Sequence, residues 1–240
     1  MKGNSTDPHS GEDQDTYRFL EETSADLGCE LVVLNDGRDI WQVMRDKKFL
    51  SNSRIAHCSQ ELKQRPARRW LKANCDPADT TVVFGIDGTE AHRMKAITKQ
   101  YAPYGVAAPL INVMMTKPEM MVECESYGIK PPRLYEAGFP HNNCGGGCVR
   151  AGQAHWRLLL KQYPERYKWW EEQEQGMRDF LQKDVAIIVK RLGYKKGLRG
   201  DIDPIPLPLK EFRLQIEAGA GYDKNDWGGC GCFLDDLEEK

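Results

Sequence analysis

Long apolar runs are missing from this 240-residue chain, and no stretch is long enough to span a bilayer. An excess of one charge sign is missing too. Lysine and arginine number 34 against 36 acidic residues, for a net charge of −2, so nothing pulls the whole chain toward nucleic acid or an anionic membrane, and only a local basic patch remains open. The N-terminal residues MKGNSTDPHSGEDQD are polar and acidic, unlike a secretory signal. Internal repeats and low-complexity tracts are absent. These absences predict a cytoplasmic protein with no membrane partner, long enough to bury a core without disulfides.

Cysteine, by contrast, is plentiful. In a reducing compartment eight cysteines argue for metal or redox chemistry over disulfides. Two groups stand out, Cys144-Gly-Gly-Gly-Cys148 and Cys230-Gly-Cys232, while Cys29, Cys58, Cys75 and Cys124 are scattered and read first as small buried residues. Three glycines between two thiols disfavour a helix and offer backbone N–H groups to sulfur, so Cys144–Cys148 reads as a ligand-bearing loop. The bland alternative is a glycine-rich turn with incidental thiols. Four thiolates are the usual set for a cubane cluster or a structural zinc, so Cys230 or Cys232, and then Cys58, are candidates to complete the site.

The intervening pattern predicts alternating elements. Asp15 suits the N-cap of a first helix closed by Gly28. Strands are expected at Glu30–Leu34, Thr80–Ile86 and Pro109–Val113. Helices are expected around Ile40–Met44, from Pro66, over Glu90–Lys99 and Lys117–Ser126, and between Trp156 and Leu192 in two parts, Trp156–Tyr163 and a longer one from about Pro164. Alternation of this kind implies an α/β fold with a mostly parallel sheet, and ligands in such folds bind at the carboxyl ends of strands. Gly85 lies at one such end, followed by Glu90, His92 and Arg93. A second cationic group, Lys63, Arg65, Arg68 and Arg69, surrounds the helix start expected at Pro66, where it would hold phosphate or simply face water.

Four segments in order resemble the phosphoadenosine phosphosulfate (PAPS) reductase family of the adenine nucleotide alpha-hydrolase, or N-type ATP pyrophosphatase, superfamily. They are Glu12-Asp-Gln-Asp-Thr-Tyr-Arg-Phe-Leu20, Cys58-Ser-Gln-Glu-Leu-Lys63-Gln-Arg-Pro66, Gly85-Ile-Asp-Gly-Thr-Glu90-Ala-His-Arg93, and the run from Pro109 through Gly128 to Cys148. The resemblance spans about residues 10 to 175. It implies a Rossmann-like parallel sheet flanked by helices over 1–150, followed by a helical and irregular region with a cysteine-containing tail over 151–240. It also implies an oxidoreductase or sulfurtransferase of sulfur metabolism.

The implied metal ligands are Cys58, Cys144, Cys148 and Cys230, holding a 4Fe-4S iron–sulfur cluster, with zinc as the alternative. Lys63, Arg65, Gly85, Glu90 and Arg93 become nucleotide or anion contacts for ATP or an adenosine phosphosulfate, and Cys232 a candidate nucleophile. Implied partners are a thiol, electron or sulfur donor protein and a nucleic acid acceptor. The family's opening strand and Ser-Gly-Gly-x-Asp-Ser loop are not among these residues, so a homodimer or a second chain supplying those strands is a further implied partner. The reductases' C-terminal Glu-Cys-Gly-x-His motif is replaced by Gly229-Cys-Gly-Cys-Phe233. A non-catalytic nucleotide- or partner-binding module with structural zinc at the same cysteines is the competing expectation.

Overall fold

The computed structural model describes residues 11–52, 55–113, 115–190 and 205–229. The chain is mixed α/β and 55% helical. Helix α1 (Gln14–Asp26) starts at Asp13, whose carboxylate accepts the Asp15 N–H at 3.0 Å, two residues earlier than the expected cap. Helix α2 (Ile40–Asp46) is set by a capping box between Asp39 and Gln42. Next, α3 (His57–Ser59), a π turn over Gln60–Gln64 and α4 (Arg65–Asn74) follow without a break. The helix expected to begin at Pro66 therefore begins at His57. Gln64 already has helical angles, so the proline sits inside a continuous helix, where the π turn accommodates its missing N–H.

Strand β1 (Thr81–Val83) pairs in parallel with β2 (Gly105–Ala107), and a 3-10 turn over Gly88–Arg93 leads into α5 (Met94–Tyr101) between them. The third expected strand, at 109–113, is instead a 3-10 turn over Pro109–Asn112. Glu30–Leu34 forms no strand. Leu31, Val32 and Val33 are 39%, 39% and 49% exposed, and no strand among the described residues takes their N–H and C=O groups. Helix α6 (Lys117–Ser126) has the expected bounds, set by the Thr116–Glu119 capping box.

The short α7 (Arg133–Glu136) precedes the glycine-rich loop, and α8 (Gln153–Gln162) and α9 (Pro164–Leu181) follow it, split at Pro164 as the pattern predicts; the helix expected to reach Leu192 stops at Leu181, where Gln182 turns left-handed at φ 52°. Antiparallel β3 (Ile188–Lys190) and β4 (Ile205–Leu207), then α10 (Leu209–Glu217), complete the elements. Among the described residues the sheet content is thus two separate pairs, one parallel and one antiparallel.

Two cores result. The larger joins Trp41 and Met44 of α2 to Trp156 and Leu159 of α8, Tyr167, Trp170 and Met177 of α9, and Phe212 of α10. The smaller packs Ile86, Ile97 and Tyr101 with Leu71 of α4. Among the described residues no helix is long and apolar enough to cross a membrane.

Candidate functional site

The Cys144–Cys148 loop lies on the larger core. Cys144 and Gly145 take left-handed backbone angles, φ 54° and 57°, and Gly146 has φ 84°. For Cys144 that conformation is uncommon outside tight turns. It folds the loop so that Cys148 is buried in the core, with Cys144 and Cys58 packed against the same cluster. Thiols 86 residues apart in sequence therefore share one apolar neighbourhood.

The loop is fastened from several sides. Asp13, fully buried, takes Arg133 Nε at 2.8 Å and Arg166 Nη1 at 3.1 Å, and Arg166 also donates to the Gly145 carbonyl. Burial disfavours the Asp13 charge, but hydrogen bonds from Arg133, the Asp15 backbone and Arg166 outweigh it and hold the carboxyl below its usual range. Asn142 Nδ2 donates to Thr16 Oγ1 at 2.7 Å, and Lys117 Nζ to the Pro140 carbonyl at 2.9 Å. His155 Nε2 meets the Gly146 carbonyl at 2.9 Å and its ring stacks on His141 at 5.0 Å. Burial pushes His155 down to about 4 and His141 to about 3, so both rings are neutral at pH 7. A neutral His155 must then donate from Nε2.

Buried donors lie in the same core. The indole N–H groups of Trp41, Trp156 and Trp170, each at most 2% exposed, have no hydrogen-bond partner among the described residues. An unmatched buried N–H is disfavoured by about 1–3 kcal/mol. Trp170 Nε1 lies directly against Gly147, where a Cβ would collide with the indole. Only glycine at 147 lets that N–H approach the loop between the two cysteines.

The C-terminal tail returns to the same place. Gly229 N–H bonds the Arg150 carbonyl at 3.3 Å, Ala151 and Gly228 form an antiparallel bridge, and Asp226 accepts from Gln153 N at 3.1 Å and Ala154 N at 2.9 Å. Gly228 has φ 69° and no room for a Cβ against the Arg150 carbonyl. The residue preceding Cys230 is therefore held two positions beyond Cys148. Cys230 and Cys232 themselves lie outside the described residues. Among the described residues no three His, Cys, Asp or Glu side chains stand together as a metal-binding group. Cys58, Cys144 and Cys148 share a core without forming a ready ligand set by themselves.

The charged residues among the expected nucleotide contacts are engaged within the fold. Lys63 pairs with Glu12 at 2.8 Å, Arg65 with Glu61 at 2.9 Å, and the buried Arg93 with Glu90. Gly85 is exposed just past β1, with open space where a side chain would sit. Sequence reasoning missed Asp13 and Trp170. Asp13 lay within two residues of the chosen cap, and Trp170 was identifiable only as an apolar packing residue. Comparison with models of protein families, with curated proteins and with solved structures finds no match to this chain.

Proposed function

We propose that the chain is a PAPS reductase-like protein of sulfur metabolism, with a cysteine-ligated iron–sulfur cluster at Cys58, Cys144, Cys148 and Cys230 beside an adenine nucleotide. One observation carries the reading. Cys58, Cys144 and Cys148 all border one core cluster, and the backbone just before Cys230 is bonded two residues beyond Cys148. The orphan indole N–H of Trp170 over Gly147 fits a site rich in sulfur acceptors, since hydrogen bonds to sulfur tune such groups. When bound, a cluster would supply charge or electrons next to the nucleotide. The chain's own residues would supply the loop geometry, through Asp13, Arg166 and His155, and a dry surround through Trp41, Trp156 and Trp170. The parallel β1–β2 pair with α5 is read as part of a Rossmann-like sheet, with Gly85 at its ligand-binding edge. The activity is sulfonucleotide reduction or sulfur transfer to a nucleic acid, with Cys232 as the candidate nucleophile.

A second reading has its own support. Lys63, Arg65 and Arg93 already hold carboxylates, which a bound phosphate would have to displace. That favours a non-catalytic module with structural zinc at the same cysteines. Anaerobic purification followed by iron, sulfide and zinc analysis decides between them. About four irons with matching sulfide supports the cluster, and zinc without either refutes it. Calorimetry with ATP and adenosine phosphosulfate tests the nucleotide half, which absence of binding refutes.

A further inference from the structure

We infer that the outer flank of α4 is a docking surface for the phosphate backbone of a nucleic acid. Arg65, Arg68, Arg69 and Lys72 recur at the three- and four-residue spacing that puts them on one helix face. With Arg38 they line an open cleft of about 540 Å³, which also holds two carboxylates, Asp36 and Glu61. Five cations thus face two anions.

The carboxylates act as anchors. Glu61, with its side chain 5% exposed, takes Arg38 at 3.2 Å, Lys47 at 2.8 Å and Arg65 at 2.9 Å. Asp36 takes Arg38 at 2.6 Å and Arg69 at 3.5 Å. These pairs fix guanidinium groups in place and leave positive charge over. Arg68 and Lys72 have no carboxylate partner among the described residues. Leu71, at the margin of that face one turn on from Arg68, packs into the smaller core and fixes the rotation of the helix. A fixed run of like charges repels itself, and a polyanion relieves that repulsion.

The arrangement suits a chain of phosphates better than one phosphate. A single anion is best held by the open N–H groups of a helix start. Here α4 continues from the π turn, so no such group is offered at Arg65 or Pro66. The cations instead extend along the helix flank over about 10 Å, in an open cleft. No aromatic ring lines it, which removes base stacking and leaves binding that is charge-driven and indifferent to sequence. The inference deepens the nucleic-acid half of the proposed function, yet the binding itself requires no metal.

The test is fluorescence anisotropy of the full chain with labelled single-stranded DNA, single-stranded RNA and a duplex of equal length, over a salt series. Binding in at least one arm is expected, with log affinity falling against log salt at a slope of about −3. The Arg68→Ala, Lys72→Ala double variant should weaken binding on the order of tenfold and flatten the slope by about 1.5, with an unchanged melting temperature. Metal content of the same preparation is measured separately, so failure of the metal reading leaves this result standing. The inference is overturned by no binding at about 50 mM salt in any arm, or by a double variant that binds undiminished. It is equally overturned by ATP displacing the strand at equal phosphate concentration, or by tighter binding to polyglutamate.

Discussion

Glu174 offers a perturbation whose size follows from the fold. Its side chain leaves α9 into the core, 1% exposed, where Oε1 accepts the Ile187 N–H at 2.8 Å and Oε2 the Leu209 N–H at 2.6 Å. One carboxyl therefore ties α9 to the segment entering β3 and to the first turn of α10. Burial disfavours its charge more than the two N–H groups favour it, and its pKa rises from the ordinary 4.5 to about 7. A folded-state value above the unfolded one means the folded chain holds the proton more tightly. The stabilisation is complete below about pH 4.5 and is lost as pH rises through about 7. Across pH 5 to 8 that linkage amounts to about 2.5 kcal/mol. Glu174→Gln removes the titration, and its amide can accept only one of the two N–H groups. Urea unfolding followed by far-UV circular dichroism should show the variant less stable than wild type at pH 5. The gap should shrink by about 2.5 kcal/mol at pH 8. A gap that stays constant to within about 0.5 kcal/mol would mean the carboxyl ionises like an exposed one, and the reasoning would fail.

Gly147→Ala should lower stability by about 1–3 kcal/mol, read as a shift in melting temperature, because the new Cβ drives into the Trp170 indole. Cys144→Ser and Cys148→Ser should each lose bound metal by elemental analysis, while Cys75→Ser and Cys124→Ser should retain it; equal retention in all four would refute the ligand assignment. Gly228→Ala, strained at φ 69° and blocked by the Arg150 carbonyl, should release the tail. Limited proteolysis should then cut near residue 226 faster, and metal content should fall with it.

Local chemistry decided much of what could be read in advance. The capping box at Thr116 and Glu119 fixed α6 to the residue, Gly28 closed the turn after α1 with φ 61°, and Pro164 divided α8 from α9. Each depends on atoms within a few residues of one another, so the sequence suffices. The cysteine-glycine pattern likewise marked the 144–148 loop, and the cationic residues of α4 were visible as a group.

What the sequence could not decide depends on distant partners. Glu30–Leu34 has the composition of a strand, but a strand exists only where another chain segment takes its hydrogen bonds, and none among the described residues does. Pro66 marked a helix start because its N–H is missing, yet the π turn carried the helix through it. The fastening of Asp13 by Arg133 and Arg166, the seat of Trp170 on Gly147 and the return of Gly229 to Arg150 join residues 23 to 153 positions apart. No periodicity encodes such pairings. They arise when the core closes, and with them the neighbourhood that turns scattered cysteines into a candidate site.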